Sequence, residues 1–156
     1  MKHHDSIRVI VVDDDDLMRA GIAAILAEDA GIEVIAQADD GVGAIRMATD
    51  LRPDVIVMDM AMPLIDGVRA TRHLSETLPD IRVLTLSSAT DNRRVREIID
   101  AGAAGYVVKS SARRELAVAV RQVANGMVYL SPSISSTLLQ SIVSESPQQS
   151  PAGEGS

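Results

Sequence analysis

Five short apolar runs, each followed by a stretch with helical spacing, constrain this chain more than any other feature. The runs are residues 7–12, 32–38, 55–58, 83–86 and 106–108. They are rich in Val, Ile and Leu and lack polar alternation, the pattern of strands buried on both faces of a parallel sheet. The segments between them carry apolar residues at helical intervals. In 17–28 these are Ile22, Ile25 and Leu26, with Asp16 as the expected N-cap; in 113–124 they are Leu116, Val120 and Val123. Segments 41–51, 68–78 and 93–101 follow Asp40, Asp66 and Asp91, and Gly126 is a stop signal after the fifth helix. Strict β–α alternation with right-handed crossovers predicts a doubly wound α/β domain of five parallel strands and five helices.

In such a sheet, ligands bind outside the carboxyl ends of the strands. The first strand ends in Asp13 and Asp14, the third in Asp59, the fourth in Ser87 and the fifth in Lys109. Three carboxylates, a hydroxyl and an ammonium therefore converge on one crevice. Clustered carboxylates raise one another's pKa unless a cation compensates them. A hard divalent ion with oxygen ligands does so, and Mg²⁺ suits an open site that accepts a phosphoryl oxygen. A carboxylate beside it can act as a nucleophile toward phosphorus, with lysine and hydroxyl neutralising the equatorial oxygens.

Composition narrows the alternatives. The chain has thirteen arginines but only two lysines, Lys2 and Lys109, which singles out the strand-end ammonium. A net charge of −7 disfavours nucleic-acid binding by this chain alone. The absence of cysteine excludes disulfides and thiolate metal sites and fits a cytoplasmic location. Neither a signal peptide nor a membrane-spanning run is present in this sequence, and His3, His4 and His73 are assigned no metal. After residue 130 the composition shifts: residues 131–156 hold no Lys or Arg, many serines and three prolines. The expected organisation is a domain over 1–130, a linker over 131–143 and a flexible tail over 144–156. Within the linker Ile134, Leu138, Leu139 and Ile142 form one short amphipathic face.

Four segments carry a resemblance. Val11-Val12-Asp13-Asp14, Val57-Met58-Asp59-Met60-Ala61-Met62-Pro63, Leu84-Thr85-Leu86-Ser87 and Gly105-Tyr106-Val107-Val108-Lys109 resemble, in order, the signature segments of bacterial response-regulator receiver domains. The likeness covers about residues 6–130. Asp14-Asp15-Asp16-Leu17-Met18-Arg19-Ala20-Gly21, Gly102-Ala103-Ala104-Gly105-Tyr106 and Asn125-Gly126-Met127-Val128-Tyr129-Leu130-Ser131-Pro132 resemble the NarL/LuxR type in particular.

The resemblance implies a flavodoxin-like sheet of order 2-1-3-4-5 and a place in phosphorelay signalling. Asp59 would accept a phosphoryl group from a sensor histidine kinase. Mg²⁺ would be held by Asp14 and Asp59 directly, Asp13 through water, and the Ala61 backbone carbonyl. Lys109 would contact the phosphoryl group or Asp59, Ser87 would donate its hydroxyl to a phosphoryl oxygen, and Tyr106 would be the aromatic switch. Phosphorylation would favour a homodimer, with DNA contacted only through a C-terminal domain absent from this chain. Ala61 and Leu64 depart from the common pattern, which puts dephosphorylation rate and loop geometry in question. Such a protein is not a turnover enzyme. The rival readings are a stand-alone receiver acting by protein contact, and an aspartyl-phosphate phosphatase. Asp13-Asp14-Asp15-Asp16-Leu17 lacks the phosphatase's Asp-x-Asp-x-Thr pattern. A flavin or nucleotide module is disfavoured because four carboxylates would repel a bound phosphate.

Overall fold

The computed structural model describes residues 6–60, 66–88, 90–140 and 143. Five β–α units follow in strict alternation: β1 (Ile7–Val12), α1 (Asp16–Ala27), β2 (Ile32–Ala38), α2 (Gly41–Leu51), β3 (Val55–Asp59), α3 (Gly67–Thr77), β4 (Arg82–Ser87), α4 (Asn92–Asp100), β5 (Gly105–Val108) and α5 (Ala112–Ala124). All strand pairs are parallel, in the order β2-β1-β3-β4-β5 with a sixth strand beside β5. β3 lies at the centre and is buried along its whole length, which explains its unbroken apolar run.

Alternate residues of each strand face opposite layers. Val9, Val11, Val55, Val57, Leu84, Leu86 and Val107 pack under Ile22 and Leu26 of α1 and Leu116, Val120 and Val123 of α5. Ile10, Val12, Ile56, Met58, Val83, Tyr106 and Val108 face Ala44 and Ala48 of α2, Ala70 and Leu74 of α3, and Val95 and Ile98 of α4. Each fully buried aliphatic side chain contributes about 1.5–3 kcal/mol relative to exposure, so these two layers dominate the stability. Asp40, Asp66 and Asp91 cap α2, α3 and α4 by accepting hydrogen bonds from the N–H groups of Gly43, Arg69 and Arg94.

Two expectations need correction. Among the described residues the sheet has six strands and there are six α-helices, rather than five of each. Gly126, at φ +86°, turns the chain out of α5. The chain then runs beside β5 as β6 (Tyr129–Leu130). Residues 132–140 form a further helix, α6, whose Ile134 is fully buried in the same cluster as Tyr106. A two-residue strand is too short to leave a periodic signal. The second correction concerns α1, where Asp15 rather than Asp16 is the cap, accepting from the N–H groups of Leu17 and Met18. None of the helices among the described residues is long and apolar enough to cross a membrane.

Candidate functional site

The carboxyl ends of β1, β3, β4 and β5 form one rim. Asp13 follows β1, Asp59 closes β3, Ser87 closes β4, and Lys109 begins the 3-10 turn after β5. In the register Met58 lies beside Val12, Asp59 beside Leu86, and Ser87 beside Val108. Neighbouring strands thus deliver these side chains to the same level.

Asp13, Asp14 and Asp59 each offer a carboxylate oxygen within 4.8 Å of the others. Asp13 and Asp59 are buried, at 1% and 3% exposure, while Asp14 opens to solvent. Asp13 Oδ1 accepts a 2.9 Å hydrogen bond from the Asp15 N–H. Its Oδ2 is buried without a hydrogen-bond partner among the described residues. Burial first, and then the charges of Asp59 and Asp14, push the Asp13 carboxyl up, against the Asp15 N–H and Lys109. An orphaned carboxylate oxygen in a cluster of hard donors fits a divalent ion such as Mg²⁺.

Lys109 Nζ lies 2.9 Å from Asp59 Oδ1. Burial alone would depress the ammonium, but the hydrogen bond to Asp59 and the charges of Asp59, Asp13 and Asp14 outweigh it and hold Lys109 above its ordinary value. Across the rim, Tyr106 is fully buried and turned inward, and its hydroxyl shares a hydrogen bond with the Ser87 side chain. Burial pushes the phenol up, against that hydrogen bond and the nearby charge of Arg94.

This sequence and fold match a known group of proteins. Residues 9–121, most of the chain, match the response regulator receiver domain family. The chain is a response-regulator receiver domain.

Its relatives place the receiver in the NarL/LuxR type. It is 42% identical to the response regulator GacA of Pseudomonas aeruginosa over 143 residues, which cover 92% of this chain and 66% of that protein. It is 36% identical to the response regulator UvrY of Escherichia coli over 145 residues, covering 93% of this chain and 66% of that one. A LuxR-family two-component response regulator from Aurantimonas superposes with a TM-score of 0.85 at 31% identity, covering 88% of this chain and 99% of that one. The receiver spans just under two thirds of the length of the curated relatives named here.

The structure brings together Asp13, Asp14, Asp59 and Lys109, with Ser87 and Tyr106 joined beside them on β4 and β5. Ala61 and Leu64 lie outside the described residues, as do Lys2, His3, His4, Ile142 and the tail over 144–156. His73 is exposed on α3. Three contributors were not read from the sequence. Gly67 packs so closely on the receiver's β3 end that a Cβ there would sit 2.7 Å from the Asp59 carbonyl oxygen and 2.8 Å from Met60 Cα. Arg19 donates to the Asp13 carbonyl oxygen at 2.7 Å. Ser131 Oγ accepts from the Val108 N–H at 3.0 Å and donates to Glu115 Oε1 at 2.6 Å, tying the residue before Lys109 to the chain after β6. Asp66 before Gly67 marked a helix start, but no sequence signal marks the close approach of α3 to Asp59.

Proposed function

We propose that this receiver accepts a phosphoryl group on Asp59 from a phosphohistidine of a sensor histidine kinase, and thereby switches the output of a transcriptional response regulator. The observation that carries the reading is the buried Asp59 carboxylate, paired with Lys109 at 2.9 Å beside Asp13 and Asp14. In the transfer, a carboxylate oxygen of Asp59 forms a bond to phosphorus while the P–N bond to the donor breaks, its electron pair leaving with the imidazole. Lys109 releases Asp59 enough to follow the incoming phosphoryl oxygens and neutralises part of their charge. Asp13, Asp14 and Asp59 would hold Mg²⁺, which when bound supplies the remaining charge neutralisation on the transferring oxygens. The Ala61 backbone carbonyl, outside the described residues, would complete the ligand set.

Ser87 and Tyr106 form the switch. The Ser87 hydroxyl exchanges its bond to Tyr106 for one to a phosphoryl oxygen, which biases the β4–α4 loop toward one of two arrangements. The output is a homodimer that brings two DNA-reading domains, not among these residues, onto adjacent half-sites. The protein is a stoichiometric acceptor in the cytoplasm rather than a turnover enzyme.

Intact mass after incubation with a small-molecule phosphodonor and Mg²⁺ tests this reading. Wild type should gain one phosphoryl group, and chelation or Asp59→Asn should abolish the gain. A gain that survives Asp59→Asn overturns it.

A further inference from the structure

Arg19 is the fourth residue of α1, at the end of its first turn and near the positive end of the helix dipole, where a cation is disfavoured. Its side chain is nevertheless mostly covered, at 18% exposure. The guanidinium is spent on three different elements. Nη1 donates to the Asp13 carbonyl oxygen at the end of β1 at 2.7 Å. Nη2 donates to Asp16 Oδ1 in the first turn of α1 at 2.7 Å. Nε donates to Gln37 Oε1 in β2 at 3.3 Å.

Asp13 is thereby anchored on every side but one. Its N–H donates to the Ala38 carbonyl at 3.1 Å, its carbonyl accepts from Arg19, and its Oδ1 accepts from Asp15. The remaining atom is the orphaned Oδ2, in the cluster with Asp14 and Asp59. Four consecutive carboxylates, Asp13 to Asp16, would spread apart if nothing held them.

We propose that Arg19 is a positioning residue for the cation site: its three-way fork fixes the Asp13 main chain so that the Asp13 and Asp14 carboxylates stand preformed opposite Asp59. The inference rests on the reading of those three aspartates as a Mg²⁺ site. A planar guanidinium reaches three acceptors at once with defined directions, and a lysine ammonium on a flexible stem does not reproduce that fork. Groups that orient metal ligands change metal affinity about 10–100-fold when removed. Arg19 also borders an open polar cleft of about 400 Å³ between the ends of α1, β2 and α2. A shorter side chain there leaves solvated space rather than a buried void, so the fold should tolerate its replacement.

The test is calorimetric titration of the whole chain with Mg²⁺ alone, on wild type, Arg19→Ala, Arg19→Lys and Asp13→Asn. The Mg²⁺ Kd should rise about tenfold or more in both Arg19 variants, with Lys failing to restore it. In phosphodonor kinetics the half-saturating Mg²⁺ should rise in parallel, while the rate at saturating Mg²⁺ stays within about twofold of wild type. A general loss of structure would lower the rate at saturating Mg²⁺ as well. Should Arg19→Ala not fold, Arg19→Lys carries the test alone, since it keeps charge and bulk. Wild-type affinity in either Arg19 variant, with Asp13→Asn impaired, overturns this inference and leaves the site reading intact. Unimpaired binding by Asp13→Asn overturns the site reading itself.

Discussion

Gly67→Ala adds one methyl group against the backbone that carries Asp59. The new Cβ would lie 2.7 Å from the Asp59 carbonyl oxygen, 2.8 Å from Met60 Cα and 2.8 Å from Met60 Cε, against 3.4–4 Å for ordinary contact. The Met60 methyl can swing away, but the other two atoms are main chain, so either α3 or the end of β3 must shift by more than half an ångström. Overpacking of this kind costs about 1–3 kcal/mol, partly offset by up to about 1 kcal/mol of better helix propensity. At this chain length a net loss of about 1–2 kcal/mol lowers Tm by about 2–8 °C. The displacement falls on the acceptor and should slow phosphorylation of Asp59 well beyond what the stability loss explains, because sub-ångström placement sets transfer rates. Thermal denaturation and phosphodonor kinetics, measured at a temperature where both proteins are fully folded, check this. A Gly67→Ala protein that is as stable as wild type and phosphorylated at the same rate refutes the reasoning.

Other expectations follow from the packing around β5. Ile134→Ala removes a fully buried side chain from the cluster that holds Tyr106, and should cost about 2–5 kcal/mol, read as a lower urea midpoint; an unchanged midpoint would mean that α6 is not docked. Ser131→Ala leaves the Val108 N–H without its acceptor and takes from Glu115 the shorter of two hydroxyl donors, the Tyr129 hydroxyl remaining, a loss of about 1–3 kcal/mol, and a cycle with Glu115→Gln should show that the two effects are not additive. The Tyr129 phenol, pushed up to about 12 from 10.0 by burial and by donating to Glu115, binds its proton more tightly folded than unfolded. Its stabilisation is therefore complete below pH 10 and lost as pH rises toward 12. The wild-type advantage over Tyr129→Phe in denaturant midpoint should be constant below pH 10 and shrink above it, and a difference that grows with pH would contradict this.

The strands and their order of chemistry were legible because a parallel sheet buries both faces, which leaves apolar runs whose ends mark the rim. Asp13, Asp59 and Lys109 stand out by ending those runs. The helix caps were legible for the same local reason, except that within Asp13–Asp16 the sequence offers four equivalent carboxylates and only the chain's turn selects Asp15. What escaped depends on contacts between distant elements. Arg19 carries no mark of its role in the first helical segment, and its bond to the Asp13 carbonyl exists only once β1 and α1 are assembled. Gly67 falls between Asp66 and the expected helix start at residue 68, and its close approach exists only once α3 packs on the end of β3. Ser131 sits in a serine-rich stretch that resembles a linker, yet it is buried at 1% exposure because β6 carries it alongside β5, where its N–H donates to the Tyr106 carbonyl. Such a role has no periodic or compositional signature.

The central claim is that Asp59, among the three clustered aspartates, is the one that takes the phosphoryl group. Borohydride reduction of the phosphorylated chain converts an acyl phosphate to homoserine, and peptide mapping then locates it. The account predicts homoserine at position 59 alone, formed only when Mg²⁺ is present. Homoserine at position 13 or 14, or its absence from a chain shown by mass to be phosphorylated, would contradict it.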